Sequence, residues 1–119
     1  MKKGPLHEKS FSFAVRIVNL YKFLSSDKRE FVLSRQVLRS GTAIGALVRE
    51  AEQAESRPDF VHKMSIALKE TNETVYWLEL LHETQYLDQT AFSSIHADAI
   101  ELLKLLTSII KSAKNRNSG

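Results

Sequence analysis

Two carboxylate–histidine spacings, Glu79-x-x-His82 and Asp59-x-x-His62, are of the kind that could do metal chemistry in this 119-residue chain. A di-iron centre in a helical bundle takes one Glu-x-x-His from each of two helices and one Glu from each of two more. Both pairs here fall in one helical segment, with His62 and His82 about 30 Å apart at 1.5 Å per residue. One chain cannot close a site from them, so no metal and no cofactor is assigned. His82 lies near the apolar edge of its helix, where a hydrogen-bonded structural histidine is the ordinary case. Serines, histidines and glutamates never fall at the spacing of a nucleophile poised by a base. Glu50, Glu70 and Glu73 suit pairing with arginines instead. Cysteine is absent, which removes thiol catalysis, disulfides and zinc–thiolate sites. No catalytic residue is assigned, and the expectation is a protein that is not an enzyme.

Cations offer a different chemistry. At 100° per residue Arg35, Arg39 and Arg49 fall on one helical face, and Lys22, Lys28 and Arg29 lie in or just after the preceding helix. Arginine forks suit phosphate oxygens, so these six residues are the candidate nucleic-acid contacts, for RNA or DNA. No aromatic residue interleaves with the arginines along the sequence, so base stacking is not expected. The net charge of +3 says little, but its distribution says more: residues 58–88 hold six acids against two bases, while 1–30 hold seven bases against three acids. Such a split suits head-to-tail association. It equally suits a solvated surface, or a scaffold that docks a protein partner and touches no nucleic acid.

The elements that must position these residues are helical. Only four glycines and two prolines are present, and no stretch alternates with period two for long enough to argue a strand. Four amphipathic segments are expected at about 11–25, 30–55, 57–84 and 89–113. Their inner stripes run through Phe13, Ala14, Ile17, Leu20, Tyr21 and Leu24; Leu33, Val37, Ile44, Leu47, Val48 and Ala51; Phe60, Met64, Ala67, Thr71, Val75 and Leu78; and Phe92, Ile95, Ala99, Leu102, Leu103, Leu106, Ile109 and Ile110. Ser56 and Asp88 are placed to cap the third and fourth helices, and the tail from Lys114 is expected to fray. Short connections make this an all-α, up-down-up-down four-helix bundle in a single domain. The third helix turns Ile66, Tyr76, Trp77 and Leu80 away from its stripe, a candidate oligomer interface. The basic start lacks the apolar core of a signal peptide, and no run reaches the ~20 apolar residues of a membrane span. A cytoplasmic protein without a membrane partner is expected.

One stretch resists the helical rule. In LRSGTAIGALVREAEQA, Gly41 and Gly45 stand four residues apart in mid-helix, each costing roughly 1 kcal/mol relative to alanine. They share an edge beside Ile44 and Val48, a strip without side chains on which a neighbouring helix can pack closely, or a point at which the helix bends.

The order QVLRSGTAIGALVREAEQAESRPDFVHKMSIALKETNETVYWLELLHETQYL resembles the four-helix-bundle family named after proteins encoded in intervening sequences of large-subunit ribosomal RNA. The accessory variability determinant of diversity-generating retroelements belongs to the same superfamily. The resemblance spans about Phe11 to Ile110. It is carried by Arg39-Ser40 followed by Ile44, Val48 and Glu50, by Ser56 with Asp59-Phe60, and by Ser65-Ile66-Ala67 followed by Glu70, Glu73 and Tyr76-Trp77-Leu78. Many relatives place proline where Gly45 stands, asparagine where Leu47 stands and glycine where Gln85 stands. The resemblance implies a bundle that in one branch forms a homopentameric ring, binds nucleic acid through a basic surface and associates with a reverse transcriptase.

Overall fold

In the computed structural model, which describes residues 4–118 with side chains as far as Asn115, every element is a helix. Met1–Lys3 and Gly119, parts of the basic start and of the polar tail, lie outside the described residues. The helices are α1 (Pro5–Ser26), α2 (Leu33–Glu52), α3 (Arg57–Glu83) and α4 (Gln89–Ser118). Each packs antiparallel against its chain neighbour. The contact of α1 with α4 closes the ring more thinly, and diagonal helices do not approach. The result is an up-down-up-down bundle 51 Å long and about 20 Å across.

Local chemistry explains most boundaries. Pro5 stands in the first turn of α1, where its fixed φ and missing N–H cost nothing. The helix therefore begins well before the expected Phe11 and buries Leu6 and Ser10. The second helix begins at Leu33 rather than Glu30, because Glu30 acts as its cap. The Glu30 carboxylate accepts the N–H groups of Val32, Leu33 and Ser34 at 3.2, 3.0 and 2.7 Å. Burial pushes this carboxyl up, but those backbone donors outweigh it and hold it below the ordinary glutamate range. Ser56 accepts the Asp59 N–H and Asp88 the Ala91 N–H, as capping residues should. Gln85 ends α3 at φ 71°. The Tyr86 N–H there bonds the Leu81 carbonyl and the Gln85 N–H that of His82, a left-handed close that glycine makes without strain. At the other end α4 continues through the tail to Ser118.

The core is one cluster drawn from all four helices and includes Phe13, Ile17, Leu24, Val37, Ile44, Leu78, Leu81, Leu102 and Leu106. Phe60 and Val75 of α3 and Phe92 of α4 are only half-buried at its margin, whereas Thr74 is fully buried. The Thr74 hydroxyl bonds Ser40 across the α2/α3 seam at 2.9 Å. This pair satisfies two polar groups that would otherwise be costly to bury.

Gly41 and Gly45 pack α2 against α1. A Cβ at Gly41 would stand 2.7 Å from Ile17, which is fully buried, and one at Gly45 would stand 3.3 Å from the Ser10 carbonyl oxygen. The weak middle of α2 is therefore a close approach between two helices.

Candidate nucleic-acid interface

The cations divide into two kinds. Lys9, Arg16 and Lys63 cross helix seams to carboxylates, pairing with Glu101 at 3.2 Å, Asp98 at 2.7 Å and Glu50 at 3.1 Å. Arg35, Arg39 and Lys22 are exposed, as are Lys69 of α3 and Lys104, Lys111 and Lys114 of α4, and none of these side chains bonds a protein group among the described residues; the arginines among them are on α2. Their freedom follows from placement. Arg35 and Arg39 point from the side of α2 opposite its Val37–Ile44–Val48 stripe. The register set by Gly41 on Ile17 and Gly45 on Ser10 puts Lys22 of α1 at the level of Arg35 to Arg39.

Arg49 lies about 21 Å further along α2 from Arg35, on the edge turned to α1. Its guanidinium stands over the exposed Phe11 ring at 5.1 Å. In the connection between α1 and α2, Arg29 at φ 54° turns the chain and stands over Phe31 at 5.9 Å. Arg35, Arg39, Arg49 and Lys22 thus stand on α1 and α2, and Lys28 and Arg29 in their connection. Lys28 stands over Phe23 at 5.7 Å and lines an open cleft of about 370 Å³ with His82, Tyr86 and Asp88 at the end of the bundle.

The aromatic neighbours correct the sequence reading, which found no ring among the arginines. Phe11 comes from the facing helix and Phe31 from the turn before α2. Antiparallel packing interleaves what the chain order separates. The available signal was Phe11 and Val15, one helical turn apart and off the Phe13–Ile17 stripe.

The α3 residues turned from the core are less uniform than the sequence suggested. Tyr76 is exposed, while Ile66, Trp77 and Leu80 are half-buried. Trp77 packs against the core, donates its indole N–H to Glu73 at 3.0 Å and meets Tyr76 edge-on.

The Glu79–His82 spacing is used otherwise. His82 stacks on Phe92 at 4.3 Å, His96 lies against the same ring, and the His96 imidazole stands 3.6 Å from Glu79. No group of three metal-ligating side chains occurs among the described residues. His7 meets Glu52 at 2.7 Å, but the neighbouring Ser10 hydroxyl donates to the His7 carbonyl rather than to the ring. No helix among the described residues is long and apolar enough to cross a membrane.

Comparison with known proteins places this bundle. The crystal structure of a protein with unknown function from the S23 ribosomal protein family, from Bacteroides thetaiotaomicron VPI-5482, superposes with a TM-score of 0.88. The two sequences are 61% identical over 89% of this chain and 98% of the other. No curated protein matches the chain. Residues 3–108 match the family described as 23S rRNA-intervening sequence protein, and with its four-helix bundle the chain belongs to that family.

Proposed function

We propose that this chain is a non-enzymatic, homo-oligomeric protein of the cytoplasm that binds RNA or DNA through the outer side of α1 and α2. One observation carries the reading. Arg35, Arg39 and Lys22 stand exposed with no carboxylate partner, while Lys9, Arg16 and Lys63 are each bound to an acid on a neighbouring helix. An unpaired guanidinium is weakly hydrated and presents its fork to phosphate oxygens without first giving up a protein partner. Releasing counterions from the phosphates then supplies sequence-tolerant affinity. Assembly through the Ile66, Tyr76, Trp77 and Leu80 side of α3 would repeat the face around a ring, and linked copies bind far better than one. The pentameric number and an association with a reverse transcriptase are carried over from the family resemblance alone.

Fluorescence anisotropy with a labelled mixed-sequence 20-nucleotide RNA, and with its DNA counterpart, at low salt tests the reading. The expected result is saturable binding that weakens at least about tenfold in the Arg35→Ala/Arg39→Ala/Arg49→Ala variant, since each lost phosphate contact lowers affinity. Glu83→Lys, on the exposed acidic end of α3, is expected to leave binding intact. No binding of either nucleic acid, or equal binding by the triple variant, would overturn the proposal in favour of a protein-docking scaffold.

A further inference from the structure

The same face carries rings as well as charge. Phe11 is 54% exposed and Phe31 44% exposed, although phenylalanine ordinarily belongs to the interior. Each has an arginine over it, Arg49 on Phe11 and Arg29 on Phe31. The rings are set wide apart: Leu33 and Arg49, which follow and face them, are separated by about 24 Å of helix rise. Arg35, Arg39 and Lys22 occupy the interval, free of carboxylates. A cation–ring pair therefore stands at each end of this cationic interval.

Phosphate contact alone needs no rings. A duplex keeps its bases stacked inside and would meet these phenylalanines with nothing to lay on them. An unpaired strand exposes the face of every base, and aromatic side chains beside cations hold such bases by stacking while the cations follow the backbone. A guanidinium already lying on a ring adds a second flat surface for the base. We infer that this face takes single-stranded nucleic acid, with unpaired bases stacked on Phe11 and Phe31 and the intervening phosphates on Lys22, Arg35 and Arg39. The inference rests on the nucleic-acid reading above and narrows it.

The third cation–ring pair, Lys28 on Phe23, lies on the α4-facing edge of α1, outside this face, and serves as the control. The experiment titrates the full chain with a labelled 20-nucleotide uridine-rich RNA, as a single strand and annealed to its complement. Phe11→Leu, Phe31→Leu and Phe23→Leu all keep an apolar side chain at an exposed position, and circular dichroism checks that each variant is folded. The single strand is expected to bind about tenfold tighter than the duplex. Phe11→Leu and Phe31→Leu are each expected to weaken the single strand about fivefold or more, the scale of a lost base stack, and to leave the duplex unchanged. Phe23→Leu is expected to alter neither. Equal affinity for the two forms, or unchanged binding by Phe11→Leu and Phe31→Leu, overturns the stacking inference. Loss in Arg35→Ala/Arg39→Ala under those conditions would leave phosphate binding standing. No binding of either RNA would overturn both.

Discussion

The seam between α1 and α2 closes by leaving side chains out, and the seam between α3 and α4 closes by filling the gap with rings. At the first, Gly41 sits under Ile17 and Gly45 lies on the backbone of Ser10. At the second, Phe92 is held between His82 and His96, with Glu79 at the edge. Both unite antiparallel helices, but they fail differently. A seam closed by absence is sensitive to any added atom, because close-packed neighbours have nowhere to go. A seam closed by a ring stack is sensitive to removal. The outer surfaces differ as well: Arg35 and Arg39 of α2 and Lys22 of α1 stand exposed without a carboxylate partner, whereas the exposed acids Glu79 and Glu83 stand on α3.

The largest expected effect breaks the ring seam. Phe92→Ala removes the centre of a three-ring stack from a half-buried position, at a cost of about 2–3 kcal/mol, below the value for a fully buried phenylalanine. Urea unfolding should show the loss as a lower midpoint at unchanged slope. The α1/α2 seam should answer the opposite kind of change. Gly41→Ala places a methyl 2.7 Å from a buried, β-branched Ile17, whose χ1 is stiff. Overpacking should exceed the gain in helix propensity and leave a net loss of about 1–2 kcal/mol. A higher melting temperature in Gly41→Ala would show that α2 does not need the gap.

The two connections sharpen the contrast on a smaller scale. In the first, Glu30→Gln should cost about 1 kcal/mol at neutral pH through a weaker cap. The Glu30 carboxyl lies lower in the folded state than in the unfolded chain. Its contribution is therefore complete above the ordinary glutamate range and is lost as pH falls through the folded value. Stability measured against pH should accordingly fall less on the acid side in Glu30→Gln than in the parent. In the second connection, Gln85→Gly should stabilise by about 0.5 kcal/mol, because φ 71° strains any residue with a Cβ while glycine gives back part of the gain in entropy.

How far the sequence carried follows the same division. Helical periodicity was enough for the class, the order and most of the core, since Phe13, Ile17, Ile44, Leu78 and Leu102 sit where a period of 3.6 places them. The capping roles of Ser56 and Asp88 are local and were readable. Glu30 reads as helix in the sequence because a carboxylate serving as a cap from outside looks, in one dimension, like a first-turn acid. The site was harder for a topological reason. Arg35 and Arg39 could be grouped from one helix, but the neighbours of Arg49 come from a helix some forty residues away (Phe11 lies beside it only once α1 packs on α2). Lys28 belongs with the others only by its place in the chain. Its packing on Phe23 takes it to another edge, a fact that no spacing along one helix contains.

Under the proposed function, the exposed and unpaired Lys22, Arg35 and Arg39, rather than the net positive charge, bind nucleic acid. The salt dependence of RNA affinity tests it most directly, because the slope of log K against log salt counts phosphates neutralised. Two variants that remove equal charge should be compared, Arg35→Ala/Arg39→Ala on α2 and Lys104→Ala/Lys111→Ala on the exposed side of α4. The α2 variant should show a slope smaller by about 1.4 on a single strand, at roughly 0.7 per contact, and the α4 variant an unchanged slope. Equal reductions in both would contradict it and leave only the overall charge of the chain.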